Sequence, residues 1–461
     1  MLQDRYETDK FFEYISAQTI QMDPVLAQID ELLEDEELYQ MIRKDFAKRY
    51  PKTEVTGRKS TPVEVILRML TIKQLYGLSY EQTEYQVRDS LVLRQFSRVY
   101  FKDVPDDTTL IRWANLIEAE TLAAFNQRVT KMATELKVTR GRKLRTDGTV
   151  VETNIHAPTD SHLLEDCVRV IGRTLQRAKK VISEQTEFSD EVFRNRIRSA
   201  RKTARQIRRL IARQKEAGKQ AYRKLVKITQ QSVSQAKQVL EALEENNQQP
   251  VQRLKDTLET FIPRVEQVIE QTTRRVFQDE KVPADEKLVS IFEPHTAIIR
   301  RGKAGKPVEY GRKVWLDEVD GGIVTRWDVL AGNANDKLQW VPSLDAHQQL
   351  FGKPPTQASA DRGVFSADNE TEAKNRGIKQ VVLPKPGKKS EKRRQHEKQP
   401  WFRRARKWHN GVEGRISVLK RCYHLDRCLN HGQDGFHRWV GWGVIAHNLN
   451  KVGSTLVARS G

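Results

Sequence analysis

Two distant stretches of the chain share a plan that constrains the fold more than any other feature. The first, Lys143–Glu152, reads as a short strand that delivers Asp147 to an exposed turn at Gly148. The second, Thr356–Gly363, reads as a strand of small residues that ends in Asp361, one residue before a glycine-containing turn. A glycine beside a strand-end carboxylate leaves room for a ligand to approach. The sequence therefore predicts an α/β domain that presents two carboxylates at the ends of strands.

A third carboxylate, Glu413, lies in the helical pattern from Trp408 to Lys420. With 61 acidic residues in the chain, any such triple gains meaning only from its position. Magnesium prefers oxygen ligands, and two ions about 3.5–4 Å apart can activate an attacking oxygen and stabilise a leaving one. We predict one metal site from Asp147, Asp361 and Glu413. Glu152 is left out because, five residues along the same strand, it points to the opposite face.

The composition indicates a polyanionic partner and a reducing compartment. There are 81 Lys+Arg against 61 Asp+Glu, a formal charge of +20, which favours nucleic acid over a neutral partner. The three cysteines form no CxxC pair, which argues against a structural zinc site. The N-terminus has no apolar signal core, and no apolar run reaches the roughly 20 residues of a membrane span. We expect a cytoplasmic, nucleoid-associated protein with no membrane partner and no small-molecule cofactor.

Residues 58–135 carry helix signals that suit a DNA-binding domain. Thr61–Glu64 and Ser79–Gln82 read as capping boxes, and Gly77 ends the first helix. Short helices with tight turns fit a helix-turn-helix-like reader, and they fit a plain helical bundle equally well. Arg112 and Lys131 are the candidate DNA contacts. Residues 1–57 form a separate amphipathic helical segment whose function the pattern does not reveal.

A long helical insertion follows the first strand. Asp160–Lys281 is rich in Ala, Gln, Arg and Glu, with Pro250 and Pro263 as its strong breakers. Between Arg169 and Lys227 the charges are mostly basic, and Arg205 and Arg209 are the candidate DNA contacts. A solvated helix face explains any charge run, but the single sign favours a phosphate-facing surface. The predicted domains are 1–57, 58–135, the insertion 160–286, and a catalytic domain made of 136–159 and 287–461.

From residue 288 onward the pattern changes to short β-type runs. The Asp320-Gly-Gly322 turn predicts a hairpin between two of these runs. The helix near the C-terminus carries Trp439 and Trp442, which we assign to the core. The predicted strands are Val289–Phe292, Ala297–Arg300, Arg312–Val319, Ile323–Leu330, Thr356–Asp361 and Lys379–Leu383.

Together these motifs resemble the DDE transposases of bacterial insertion sequences, in particular members with a transposase DDE domain and the ISNCY type. The resemblance rests on Thr146-Asp-Gly-Thr149, Asp361-Arg-Gly363, and Glu413 followed by Lys420. Arg58–Phe96 and Leu330–Asp336 add to it. It implies a ribonuclease H-like fold in which Asp147, Asp361 and Glu413 bind two Mg²⁺ or Mn²⁺ ions. It also implies an enzyme that binds the element's terminal inverted repeats and cleaves and transfers DNA strands.

Some positions depart from the resemblance. Relatives often place a Tyr and an Arg seven and four residues before the Glu, where this chain has Arg406 and His409. With Lys420, these side chains are candidate contacts to DNA phosphates. Several relatives carry a β-rich insertion before the Glu helix that is linked to hairpin formation, whereas the insertion here is helical and comes earlier. The alternatives are a nuclease of related fold and a non-catalytic DNA-binding protein. Because two DNA ends must be joined together, we expect a homodimer on double-stranded transposon-end and target DNA.

Overall fold

A computed structural model describes residues 1–19, 21–50, 52–182, 190–210, 212–243, 249–303 and 306–460. The chain forms two compact units. The core unit contains Met1–Asn154 and Arg312–Gly461, and the insertion unit contains Ile155–Gly311. The break predicted before Pro250 falls largely outside the described residues. Among the helices within those ranges, none has the length and apolar character that crossing a membrane requires.

The fold is mixed α/β, mostly helical, around one mixed sheet. The strand order is β2-β3-β1-β5-β6, with β4 paired to β3 and β7 paired to β1. β5 lies parallel to β1 and to β6, whereas β3 and β4 form an antiparallel hairpin. β2 pairs with the first part of β3, inside the insertion unit. The strands are β1 (Lys143–Thr153), β2 (Ala297–Lys303), β3 (Lys306–Val319), β4 (Val324–Leu330), β5 (Gln357–Ala360), β6 (Gln380–Val382) and β7 (Arg427–Cys428).

The hairpin predicted at Asp320-Gly-Gly322 is confirmed. It joins β3 to β4, and both of its glycines have positive φ, 86° at Gly321 and 80° at Gly322. A Cβ on Gly321 would lie 2.3 Å from the carbonyl oxygen of Val138, so this turn requires glycine.

Two of the predicted helix boundaries are confirmed. Ser79 and Gln82 form the predicted capping box, and Gly77 ends its helix at a φ of 65°. The box predicted at Thr61 is wrong, because Glu64 instead accepts a 3.1 Å hydrogen bond from the buried Arg68. The helices are α1 (Lys10–Thr19), α2 (Pro24–Leu32), α3 (Glu36–Ala47), α4 (Val63–Tyr76), α5 (Tyr80–Asp89), α6 (Leu91–Phe96), α7 (Asp107–Ala114), α8 (Ala119–Glu135), α9 (Asp160–Ile182), α10 (Ile197–Leu210), α11 (Lys215–Leu243), α12 (Gln249–Val276), α13 (Trp340–Phe351), α14 (Ala367–Asn375), α15 (Glu391–Lys398), α16 (Pro400–Cys422) and α17 (Gly432–Ser460).

The N-terminal helices and the sheet share one hydrophobic core. It joins side chains of α2–α8 to side chains of β1, β3, β5, α13 and α17. A buried polar link ties α8, α17 and β4 together: Asn448 donates to the Asn126 side chain and to the Val324 carbonyl, each at 2.7 Å. Trp439 and Trp442 are each 7% exposed, which confirms their assignment to the core. Residues 1–57 thus pack into the same core unit as the strands.

In the described part of the insertion unit, helices α9–α12 pack around a hydrophobic core of their own. Two sequence predictions are wrong here. Pro263 lies inside α12 and does not end it, since the neighbouring Ile262 and Val265 are buried in the unit's core and hold the helix across the missing hydrogen bond. Val289–Phe292 is an irregular segment, although Leu288 and Ile291 are buried against the helices. The segment is apolar because these side chains are buried against the helices, and it does not form a strand.

Candidate active site

Asp147 lies in the middle of β1, not at its end. The predicted turn at Gly148 is wrong, because β1 continues to Thr153. The carboxylate is half-buried, and its Oδ1 accepts a 2.7 Å hydrogen bond from the Gly148 backbone N–H. Pairing with β5 runs up to Thr146 opposite Ala360, so Asp147 is the first residue of β1 after the segment paired with β5.

Asp361 follows the last residue of β5, as predicted. Its side chain is 69% exposed, and it precedes a short 3-10 turn at Arg362–Val364. β1 and β5 are parallel, neighbouring strands lie about 4.8 Å apart, and Thr146 pairs with Ala360. Asp147 and Asp361 therefore occupy corresponding positions, each one residue after that pair. The sheet therefore brings these two distant aspartates to neighbouring strand positions.

Glu413 is exposed in the middle of α16, which packs against β1, β5 and β6. The helical pattern predicted around it is confirmed. The predicted trio therefore lies on two adjacent strands and on the helix that packs against both. Within the described ranges, no three acidic, His or Cys side chains come close enough together to hold a metal ion.

His409 connects α16 to Asp361. Its ring is 5% exposed, and its Nε2 lies 3.2 Å from Asp361 Oδ1. The predicted contact between His409 and DNA phosphates is therefore not available in this structure, because the ring is buried against the aspartate. His409 lies four residues before Glu413, so both side chains lie on the same face of α16. That face therefore carries the residue that contacts Asp361 as well as the predicted ligand Glu413.

A buried ion cluster connects β1, β3 and α16. Glu318 on β3 is 1% exposed and accepts hydrogen bonds from Arg145 Nε at 2.8 Å and Nη2 at 2.6 Å. Arg415 on α16 donates to the same carboxylate at 3.2 Å. Arg145 also donates to the Trp408 carbonyl of α16 at 2.5 Å. Because Arg145 precedes Asp147 by two residues, this cluster sets the position of α16 relative to the strand that carries Asp147.

Beyond Glu318, Arg415 meets a neutral histidine. Its Nη1 lies 2.8 Å from His447 Nε2. Burial, with the nearby Arg415 charge, lowers the pKa of His447 to about 3, so the ring is neutral and accepts this hydrogen bond. The cluster therefore carries its charges on two guanidinium groups and one carboxylate.

Gly148 makes room for a second ion pair. The ideal Cβ position at Gly148 lies 3.1 Å from Lys313 Cε and 3.6 Å from Asp336 Oδ1, and Lys313 and Asp336 are paired. At Gly363 the corresponding position lies 3.7 Å from Asp336 Oδ2. The glycine that follows Asp147 therefore serves close packing rather than a turn.

The close approach of α16 to β1 gives a first testable prediction. A Cβ at Gly411 would lie 2.5 Å from Nη1 of Arg145, whose guanidinium group is held in place by hydrogen bonds to Glu318 and to the Trp408 carbonyl. We expect Gly411→Ala to lower the free energy of unfolding by about 1–3 kcal/mol through overpacking. Chemical denaturation followed by tryptophan fluorescence measures this change.

The matched control for Gly411 lies in the same helix. Gly414 has nothing within 4 Å of its Cβ position. Gly414→Ala should be neutral or stabilising by up to about 1 kcal/mol, because alanine favours the helix. Equal stability of the two variants would mean that α16 does not rest on Arg145.

The other candidate DNA contacts differ in exposure. Lys420 is half-buried and donates a 2.6 Å hydrogen bond to the Val150 carbonyl of β1, so it ties α16 to the strand. Arg406 is exposed, seven residues before Glu413 and on the same helical face. The remaining four candidates are exposed on α7, α8 and α10: Arg112, Lys131, Arg205 and Arg209.

Sequence reasoning missed the supporting residues of the site. Glu318 and Lys313 stand on β3, and Asp336 starts a 3-10 turn before α13. A charged residue inside an apolar strand run, such as Glu318 after Leu316, is a signal for a buried ion pair. Its partners, Arg145 and Arg415, are too distant in the chain for any spacing rule to find.

The donor atoms of the three predicted ligands are of the kind that a hard divalent cation prefers. Asp147, Asp361 and Glu413 offer only carboxylate oxygens, the ligands that Mg²⁺ and Mn²⁺ prefer. Two of them lie at neighbouring strand positions, and the third lies on the helix packed against both strands. The residues present therefore fit such an ion in the chemistry of their donor atoms.

Two family models match the chain. Residues 15–116 match the model described as "Transposase domain (DUF772)", which covers the second half of α1 and all of α2–α7. Residues 369–453 match the model described as "Transposase DDE domain", which includes α16 with Glu413. No curated protein and no solved structure matches the chain.

Proposed function

Because the chain belongs to the DDE transposases of insertion sequences, we propose that it binds the terminal inverted repeats of its element and catalyses metal-dependent DNA strand cleavage and strand transfer. The observation that carries this proposal is the placement of Asp147 and Asp361 on adjacent parallel strands, beneath the helix that bears Glu413. We propose that this sheet and α16 form a ribonuclease H-like catalytic core.

In this proposal Asp147, Asp361 and Glu413 hold two Mg²⁺ or Mn²⁺ ions. When bound, the ions supply the positive charge that activates an attacking oxygen and stabilises a leaving one. His409 holds the Asp361 carboxylate through its 3.2 Å contact. The Arg145–Glu318–Arg415 cluster connects α16, the helix that bears Glu413, to the strand that bears Asp147.

The reaction consists of two displacements at phosphorus. In cleavage, a water oxygen bonds to the phosphorus at the element's end and the bond to the 3′ oxygen breaks, which leaves a free 3′-OH. In transfer, that 3′ oxygen bonds to a target phosphorus and displaces the target's own 3′ oxygen. In each step the attacking oxygen releases a proton to solvent, and the leaving 3′ oxygen takes up a proton from solvent to become a 3′-OH. Arg406, exposed on the Glu413 face, contacts a phosphate of the bound strand.

A strand-joining assay tests this function. The full chain is incubated with Mg²⁺, with DNA that carries both ends of its element, and with a supercoiled plasmid. We expect nicked ends and plasmid joined to those ends, and neither product when EDTA is present. Binding of the ends without either product would favour the non-catalytic alternative. Cleavage without joined products would favour a nuclease of related fold.

We further propose that helices α4–α8, within 58–135, recognise the terminal repeats, with Arg112 and Lys131 among the contacts. Both side chains are exposed, and α7 packs against α4 and α5 as a compact helical group. In the proposed assembly two copies of the chain form a homodimer on the paired ends, in the cytoplasm and associated with the nucleoid.

The recognition role makes a specific prediction. The full-chain variant with Arg112→Gln and Lys131→Gln should lose about 5- to 100-fold of its preference for end DNA over random duplex, since a base contact contributes about 1–3 kcal/mol of discrimination. Competition binding measures this preference. Lys353→Gln with Lys379→Gln, two exposed lysines elsewhere in the core unit, is the control. An unchanged preference in the first variant would leave these helices as a dimerisation bundle.

A further inference from the structure

We infer that one face of α10 is a sequence-independent binding surface for the phosphate backbone of double-stranded DNA. α10 has 14 residues, Ile197–Leu210, and contains no Asp or Glu. Six of its residues are basic, and all six are exposed. Its other face is buried in the insertion unit through Ala200, Thr203, Ala204 and Ile207. The helix is therefore divided sharply into a core side and a cationic side.

Four of the cations form a continuous stripe, named here the α10 stripe: Arg198, Lys202, Arg205 and Arg209. Their spacing of i, i+4, i+7 and i+11 places them in one row along the helix. They also line a groove on the surface of the insertion unit. At a rise of 1.5 Å per residue the stripe is about 16 Å long. Phosphates along one DNA strand advance about 3.4 Å each along the helix axis, so the stripe spans about five of them.

The stripe lacks internal counterions in the described part of the chain. The two other basic residues of α10, Arg201 and Arg208, both lie within ion-pair distance of Glu165. No ion pair is found among the described residues for the four stripe residues. Like charges one helical turn apart repel each other. A row of uncompensated cations gains favourable energy when a polyanion supplies the missing charges.

Basic residues at two other places in the protein differ from the stripe because they are paired. Lys389 and Arg393, before α16, both pair with Glu397, and Arg274 and Arg275 near the end of α12 pair with nearby acidic residues. Those cations hold the fold together. Within the described ranges the α10 stripe makes no such contact, and its regular spacing matches a linear array of phosphates rather than one anion.

This inference rests on the proposed function in one respect, which is that DNA is the partner. The stripe belongs to the insertion unit, whereas Asp147, Asp361 and Glu413 belong to the core unit. It adds general affinity for duplex DNA, such as target DNA, and leaves recognition of the ends to other residues. Contacts to phosphates carry no sequence information by themselves.

Salt-dependent binding tests the inference. The full chain and the variant R198Q/K202Q/R205Q/R209Q are titrated with a fluorescent random-sequence duplex of about three helical turns, in EDTA, over a series of salt concentrations. Each neutralised phosphate contributes roughly 0.9 to the slope of log affinity against log salt. The variant should therefore lose about 3–4 from that slope.

The control variant removes the same charge elsewhere in the insertion unit. Lys224, Lys237, Arg253 and Lys281 are exposed on α11, α12 and the segment that follows, and all four are replaced by Gln. The control should keep most of the slope. Unchanged slope in the stripe variant, or an equal loss in the control, would overturn the inference. An acidic protein partner for the stripe would give the first of these results.

Two further measurements keep the test decisive. If the fourfold variant loses helical circular dichroism, R198Q/K202Q and R205Q/R209Q are tested separately, and each should lose about half as much slope. Because binding is measured in EDTA, it does not depend on catalysis. Strand joining is measured separately in Mg²⁺. If the stripe binds DNA but the protein joins no strands, the result contradicts the proposed function and leaves the inference about the stripe intact.

Discussion

Asp147→Asn, Asp361→Asn and Glu413→Gln should each reduce strand cleavage and strand transfer by about 10³-fold or more, while binding of end DNA remains within a few-fold of the unchanged protein. Each change removes the charge of one proposed metal ligand, and charge stabilisation by a bound ion contributes several kcal/mol to the transition state. Single-turnover cleavage of labelled end DNA in Mg²⁺ measures the loss. Near-normal cleavage by one variant would remove that residue from the site.

The control for the carboxylate variants stands on the same strand as Asp147. Glu152 lies on β1 and pairs with the exposed Arg427 at 3.1 Å. It is five residues beyond Asp147, so its side chain projects from the opposite face of the strand. Glu152→Gln should cleave and join DNA at the rate of the unchanged protein. A loss equal to that of Asp147→Asn would indicate a general effect of charge on β1.

Glu318→Ala should lower the free energy of unfolding of the core unit by about 3–5 kcal/mol, because it leaves buried guanidinium groups without their counterion. Arg145 and Arg415 both depend on this carboxylate, whose side chain is 2% exposed. All eight tryptophans lie in the core unit, so their fluorescence during chemical denaturation reports on that unit alone. Cleavage activity should fall as well, since α16 loses its connection to β1.

An exposed ion pair of the same unit is the control for Glu318. Glu372 is 48% exposed and pairs with Arg376 at 2.5 Å. Glu372→Ala should change the free energy of unfolding by less than about 1 kcal/mol, because solvent screens such a pair. A similar effect of both substitutions would mean that Glu318 contributes no more than a surface pair.

Local chemistry explains why much of the fold follows from the sequence. The Ser79 capping box, the helix ends at Gly77 and the Gly321–Gly322 turn depend on neighbouring residues, and all are present. The strand-end position of Asp361 and the helix around Glu413 depend on equally local patterns. These features could be predicted because their partners lie within a few residues.

The errors have the opposite origin. Gly148 has the local character of a turn, yet β1 continues through it because Lys313 and Asp336 pack where a side chain would stand. Pro263 has the local character of a helix end, yet the buried residues around it hold α12. The contact between His409 and Asp361 joins residues on α16 and β5 that no short spacing relates. Tertiary contacts decide each of these positions, and a single sequence does not display them.

The insertion unit also bears on how the chain can fold. β1 and β5 pair directly, although residues 155–311 separate them along with the β3–β4 hairpin and α13. Closing a flexible loop costs entropy that grows with its length, and pairing between distant segments slows folding. The inserted helices have their own hydrophobic core. If they form first, they replace a long flexible loop by a compact one, and the strands that carry Asp147 and Asp361 meet at a lower entropic cost.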